Sequence, residues 1–301
     1  MLAIVIPYYK KVFFRATLES LAKQTNKNFK VYIGNDASPE NPVEIIEQYT
    51  EKLNIVYKQF DNNLGGNSLV QHWARCIELI VDEKWVLLLG DDDILCESVV
   101  NRFYDNLNEF NLKTNVIRYS SIIINKNSEE ISEIYNHPKW EEPSQSYYRK
   151  FKCLTRSSIS EYIFILESYN KYGYTHYPTG WYSDDKAWLD FSDSKPIYTI
   201  NDSIICIRES KFSISGKENN LPEKKYARLL FLKDIIIEKY DLFSKQQRQE
   251  LIRAYETLIF ALKRVTLKEY LFILRVHFQN FSVSSFKKHA IMTFKYLKTY
   301  I

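Results

Sequence analysis

The chain has 301 residues, 45% of them hydrophobic and 26% charged, a composition that suits a globular protein with one large core or two smaller ones and excludes a disordered chain. No apolar run approaches the roughly 20 residues that cross a bilayer, and the opening MLAIVIPYY lacks the basic start and cleavage site of a secretory signal, so a cytoplasmic location is expected. The net charge of +4 is uneven: from Lys263 onward eight basic residues face one acid, a balance of +7, which leaves −3 on residues 1–262.

Residues 2–6, LAIVI, form a continuous apolar run stopped by Pro7, the pattern of a strand covered on both faces. A helix is expected over 12–24, a strand in FKVYIGND, and a helix in PVEIIEQYTEK, with its proline near the start. NIVYKQ reads as a strand, SLVQHWARCIELIV as a helix and WVLLL as another strand. Strands alternating with helices at this spacing indicate an open, mostly parallel, Rossmann-like α/β sheet flanked by helices.

A helix follows Glu97 to about Phe110, and NVIRYSSIIIN reads as a strand. Residues 126–150 look like a polar excursion, 157–172 like a helix, and a short helix is expected from about Asp184. KPIYTINDSIICIRES reads as two strands around a turn at Asn201–Asp202. Beyond Glu223 three helical stretches, 223–243, 245–265 and 282–301, replace the alternation. A catalytic domain of residues 1–215 and a basic helical region of 216–301 are therefore expected, joined near the polar segment 211–222.

The four cysteines are scattered, with no C-x-x-C pair, so neither a zinc site nor a disulfide framework is indicated. Glycine is scarce, seven in all, and most glycines stand beside polar residues where the chain leaves regular structure. In open α/β sheets ligands bind beyond the carboxyl ends of the strands. Pro7–Tyr9, Asn35–Ser38 and Gly90–Asp93 each follow a strand, so they should share one rim. Asp91, Asp92 and Asp93 repel one another there. A solvated turn with a helix start after it is one reading; a divalent cation held by oxygen ligands, Mg²⁺ or Mn²⁺, is the other.

IVIPYY at 4–9, the stretch 18–40, DNNLGGNSL at 61–69 and LLLGDDDIL at 87–95 resemble the nucleotide-sugar-binding half of the family 2 glycosyltransferases, enzymes of GT-A fold that serve bacterial polysaccharide synthesis. The resemblance covers residues 1–110 well and fades toward 210. It implies that Pro7, Tyr8 and Tyr9 line the nucleoside and that Asp36 and Ser38, in NDAS, hold the uracil. The family's metal motif begins with an aspartate where this chain has Gly90. The resemblance then makes Asp92 the expected metal ligand, with Asp93 beside it, and gives Asp91 to the ribose or a metal-bound water.

Transfer with inversion needs a base for the acceptor hydroxyl, which a carboxylate supplies. The resemblance gives that role to Asp185, with Asp184 as the alternative, although Ser183 or Asp184 also suits a simple helix cap. Trp181 and Tyr182 beside the pair suit stacking on a sugar ring. Asn63, Gly65 and Gly66 are candidates for a backbone approach to the diphosphate, Arg75 and Arg208 for reaching its charge, and His176 for completing a metal site. The expected partners are a UDP-sugar donor and a saccharide or lipid-linked saccharide acceptor, with no nucleic acid. The basic C-terminal stretch, interleaved with aromatics, suits an anionic membrane surface. A sugar-phosphate nucleotidyltransferase and a non-catalytic carbohydrate-binding protein on the same fold are the competing readings. PYYKKVFF, without glycine, lacks the phosphate loop of the former.

Overall fold

The structure, a computed structural model, describes residues 1–210, 220–280, 287, 289–291, 293 and 294. It divides into two compact units, Met1–Asn219 and Asn220–Ile301. Of the expected boundary segment, 211–219 lie outside the described residues, as does most of the expected helix over 282–301.

Among its described residues the first unit carries nine strands: β1 (Leu2–Tyr8), β2 (Phe29–Asn35), β3 (Ile55–Gln59), β4 (Trp85–Leu88), β5 (Ile94–Leu95), β6 (Val116–Ile124), β7 (Trp140–Glu141), β8 (Tyr162–Ile165) and β9 (Ile197–Arg208). Its helices are α1 (Phe14–Ala22), α2 (Val43–Glu47), α3 (Leu69–Ile77), α4 (Val99–Asp105), α5 (Leu107–Phe110), α6 (Pro143–Phe151), α7 (Leu166–Tyr172) and α8 (Ser183–Phe191). The second unit contributes α9 (Leu221–Asp234), α10 (Lys245–Ala261) and α11 (Leu267–Gln279).

One sheet runs in the order β3-β2-β1-β4-β8-β6-β9-β5, with β7 paired to β9. The first four strands are mutually parallel, as the alternation with helices requires. The strand β8 is antiparallel to both of its neighbours, which makes β6 parallel to β4, and β9 is parallel to β6. Leu2, Ile4 and Ile6 of β1 pack on one face with Phe14, Leu18, Val99 and Phe103. Ala3 and Val5 pack on the other with Val70, Trp73, Ile77, Trp188 and Phe191. Both faces are covered, so the strand is apolar without alternation.

Four expectations are corrected. The stretch 157–172 is not one helix: a 3-10 turn at Ile159–Glu161 leads into β8, a central strand, and only then into α7. The excursion 126–150 contains β7 and α6, and its polar side chains are partly buried: Arg118, fully buried on β6, pairs with Glu141 at 2.8 Å, and Glu141 also takes Arg149 at 3.0 Å. KPIYTINDSIICIRES is one strand, β9, with a register shift opposite Tyr119/Ser120. Asn201 fills that irregularity, accepting from Ser120 Oγ at 2.7 Å and donating to the His137 carbonyl at 2.8 Å. In the second unit α11 is an additional helix, capped by Thr266, whose side chain accepts from the Glu269 amide.

Candidate active site

The ends of β1, β2 and β4 meet on one rim, and hydrogen bonds between their turns set its shape. Asp36 NH donates to the Tyr8 carbonyl at 3.1 Å, and Ser38 Oγ donates to the Tyr9 carbonyl at 2.6 Å. The Tyr9 and Lys10 amides both donate to Asp91 Oδ2 at 2.8 Å, so the third carboxyl-end turn is tied to the first. The Tyr8 hydroxyl donates to the Glu40 carbonyl at 2.7 Å; its ring lies against Phe14, while Pro7 is half-buried and Tyr9 exposed. Ala37 stands at φ 51°, a left-handed conformation that suits glycine better.

Asp36 is almost fully buried and its carboxylate holds the glycine turn. Oδ1 accepts from the Leu64 amide at 2.8 Å and Oδ2 from the Gly65 amide at 2.9 Å, and Arg75 forms an ion pair with Oδ1. A Cβ at residue 65 would stand 2.5 Å from Asp36 Oδ2, so only glycine permits this approach. Arg75 lies over the Phe60 ring at 4.0 Å and bonds Asn62, so its guanidinium is turned to this clamp. Asn63 is exposed, its Oδ1 accepting from the Gly66 amide at 2.7 Å. His176 approaches Ser68 at 3.2 Å, at the start of α3, and stands apart from the aspartate trio's hydrogen bonds.

The three aspartates divide their work. Asp91 is engaged with the β1 turn through Oδ2. Asp93 is buried: Oδ2 accepts from Ser160 Oγ at 2.6 Å and Oδ1 from the Arg208 amide at 2.8 Å, while Ser160 Oγ also accepts from the Gly90 amide at 2.9 Å. Asp92 is half-buried, and among the described residues no donor hydrogen-bonds its carboxylate. Burial and the charges of Asp93 and Asp91 push it up to about 8. A Cβ at Gly90 would lie 2.9 Å from Asp93 Oδ2 and 3.2 Å from Asp92 Oδ1, so an aspartate there would have to displace this pair. The donor set, a carboxylate among like charges and short of partners, fits a hard divalent cation such as Mg²⁺ or Mn²⁺.

Arg208 is committed to the fold. It is 2% exposed, donates from Nε to the Asp92 carbonyl at 2.9 Å and from Nη1 to the Asn125 carbonyl at 2.7 Å, and covers the Phe13 ring.

The second carboxylate pair opens α8. The start of β8, Tyr162, lies at the carboxyl end of β4, because Ile163 is in register with Leu87 and Ile165 with Trp85. Tyr162 stacks on Trp188 of α8 at 4.2 Å, which packs α8 beside the start of β8. A shallow pocket there is lined by Lys150, Arg156, Ser157, Tyr162, Asp185 and Trp188. Asp185 is buried, and Lys150 Nζ lies 2.7 Å from both of its oxygens. Asp184 is half-buried; burial first, then the charge of Asp185, push its carboxyl up to about 7, against the pull of Lys150. Tyr182 at φ 70° and Thr179 at φ 59° make the approach to α8 a strained turn. Lys150 and Ser160 were not singled out in the sequence; each acts on an aspartate far away in the chain.

Comparison with known proteins bears on the family and the fold. The glycosyl transferase family 2 model matches residues 3–167, more than half of the chain. An uncharacterized glycosyltransferase of Haemophilus influenzae is 33% identical over 113 residues, 36% of this chain and 36% of that protein. The poly(ribitol-phosphate) beta-N-acetylglucosaminyltransferase TarS of Staphylococcus aureus is 28% identical over 96 residues, 31% of this chain and 16% of TarS. The matched stretches thus span about a third or less of these relatives. The crystal structure of S. aureus TarS 1–349 in complex with UDP-GlcNAc superposes with a TM-score of 0.66 at 16% identity, covering 93% of this chain and 80% of that one. Its complex with UDP gives 0.63 over 94% and 82%. The match over residues 3–167 shows that the chain belongs to glycosyl transferase family 2, and its sheet, with the rim of parallel strands, has the GT-A fold.

Proposed function

We propose that the enzyme moves a sugar, with inversion and with the help of a divalent cation, from a UDP-sugar to a hydroxyl of a saccharide acceptor. The observation that carries this reading is the unequal engagement of the three aspartates: two serve the fold, and Asp92 presents a carboxylate short of partners at the end of β4. The UDP-GlcNAc and UDP complexes of TarS support a uridine nucleotide as the donor's handle.

Asp92 is the residue assigned to Mn²⁺ or Mg²⁺, and Asp91 to its surroundings through the oxygen not bonded to the β1 turn. When bound, the cation supplies positive charge to the diphosphate as it leaves. The β1 and β2 turns, with Pro7, Tyr9 and Ser38, line the nucleoside, while the fully buried Tyr8 ring, expected there from the resemblance, supports the β1 turn from within. Asp36 acts on the nucleotide site by fixing Leu64 and Gly65 together with Arg75. The acceptor hydroxyl attacks the anomeric carbon from the side opposite the diphosphate, the bond from that carbon to the diphosphate oxygen breaks, and the hydroxyl proton passes to the Asp184–Asp185 pair.

Family resemblance favours Asp185 as that base. The Lys150 contact favours Asp184, because both oxygens of Asp185 are occupied by the ammonium, whereas burial and the charge of Asp185 push Asp184 up to about 7. A lipid-linked acceptor at an anionic membrane surface is the companion proposal, supported by the basic bias beyond Lys263. Lys288, Lys295 and Lys298 of that stretch lie outside the described residues, and no helix among the described residues is long and apolar enough to cross a membrane.

The test is UDP release from a panel of UDP-sugars with and without Mn²⁺. Metal-dependent turnover is expected in the native chain, with a fall of about a hundredfold or more in Asp92→Asn. Absence of both turnover and metal-dependent nucleotide binding across the panel overturns the reading.

A further inference from the structure

The second unit contains a cluster that the transferase chemistry does not use. Glu256 on α10, His277 on α11 and His289 are all buried, at 0%, 3% and 2% exposure. Glu256 belongs to the buried stripe of α10 formed by Ile252, Tyr255 and Ile259, where an apolar side chain is the ordinary occupant. Placing a carboxylate there is costly unless a positive charge or several donors compensate it.

The geometry supplies a hydrogen-bond partner for one oxygen and sets an imidazole nitrogen near the other, which has no hydrogen bond among the described residues. His277 Nε2 stands 3.4 Å from Oε2, and His289 Nδ1 is hydrogen-bonded to Oε1. The two imidazole rings lie 4.9 Å apart, and one ligand atom from each of the three residues falls within 4.8 Å of the others.

We infer that Glu256, His277 and His289 form a binding site for a divalent transition metal of the zinc class, which ties α10, α11 and the segment bearing His289 together. Two imidazoles and one carboxylate are a recurrent zinc donor set. With metal–ligand bonds of about 2.0–2.2 Å, tetrahedral coordination sets neighbouring ligand atoms about 3.3–3.5 Å apart, and the 3.4 Å between His277 and Glu256 is that spacing. The remaining ligand atoms lie within 4.8 Å of one another, and side-chain rotation would bring them to that spacing. Imidazole donors select zinc, copper or nickel over magnesium and manganese, whereas the all-carboxylate turn at Asp91–Asp93 has the opposite preference. The two sites are therefore chemically separable within one chain. Because three segments converge on it, the metal stabilises the unit by binding its folded state alone.

The experiment uses the full chain carrying Asp92→Asn, which silences the acidic turn. After chelation and dialysis, this protein is titrated with Zn²⁺ alone and, separately, with Co²⁺. Binding of one equivalent is expected, with a rise in the thermal unfolding temperature and, for Co²⁺, visible absorption bands of a four-coordinate nitrogen and oxygen site. In Glu256→Gln and His277→Gln, affinity should weaken by more than the roughly tenfold to hundredfold that follows loss of a mere outer-sphere partner. Should both variants fail to fold, the Co²⁺ spectrum of the unsubstituted triad still decides the matter. No saturable Zn²⁺ or Co²⁺ binding in the Asp92→Asn protein, or equal binding after substitution of the triad, overturns the inference and leaves the cluster a buried carboxylate–imidazole network.

Discussion

Asp184 and Asp185 are neighbours on the first turn of α8, yet their surroundings separate them. Lys150 Nζ engages both oxygens of Asp185, and burial together with the charge of Asp185 raises Asp184 to about 7. A base works only when deprotonated, so kcat/KM with Asp184 as base declines as pH falls through about 7. Removing the charge of Asp185 lowers the Asp184 value, and the acid limb of Asp185→Asn should therefore move to lower pH with activity retained. Asp184→Asn should lose about a hundredfold or more. The opposite pattern, with Asp185→Asn inactive at every pH and Asp184→Asn active, assigns the base to Asp185. The aspartates themselves were legible in the sequence, since three or two adjacent carboxylates after an apolar run are conspicuous. Their division of labour was not: Ser160 reaches Asp93 across 67 residues and Arg208 across 115, and no local pattern encodes such contacts.

At the level of elements, legibility followed the match between local pattern and tertiary role. The strands β1, β2 and β4 are largely apolar stretches followed by polar turns, and these signals coincide with their burial on both faces, whereas the edge strand β3, IVYKQ, is half-buried to exposed. The strand β8 has only four residues, YIFI, and runs directly into α7, so its apolar positions merge with those of the helix. The strand β9 looked divided because Asn201 and Asp202 interrupt it, where the register shift in fact absorbs them. The helix α6 looked like a loop because Glu141 and Arg149, polar by composition, flank or occupy it, although Arg118 draws Glu141 inward and Glu141 in turn holds Arg149.

That ion pair carries a prediction. Arg118 is fully buried, and Glu141 is the carboxylate that neutralises it, while Ser146 and Thr199 satisfy other donors. Glu141→Gln leaves a guanidinium uncompensated inside the sheet and should lower unfolding free energy by about 3–5 kcal/mol in urea. Arg149→Gln, at a partly exposed side chain, should cost about 1 kcal/mol or less. Similar losses in both would mean that the buried pair is no more important than its exposed branch.

For the molecule as a whole, two buried histidines set an acid limit on the first unit. Burial, with Arg118, Arg149 and Arg156 adding repulsion, depresses His137 to about 2. Burial and Arg75, against the pull of Asp36, depress His72 to about 4. Both are neutral in the folded protein, whereas the unfolded chain takes up protons below about 6.5. The unfolded state therefore binds more protons as pH falls through 6.5, and stability declines on the acid side, continuing until each folded value is reached. By pH 5 the loss should be on the order of 1–2 kcal/mol per histidine. His137 separates this effect from the titration of carboxylates, because among the described residues neither ring nitrogen has a hydrogen-bond partner. His137→Leu removes the titration without orphaning a donor, so urea midpoints measured between pH 7 and pH 5 should fall less steeply in the variant than in the native chain. The two curves should differ little at pH 7 and diverge below 6.5; parallel curves would show that His137 takes up its proton without unfolding and that the acid limit lies elsewhere.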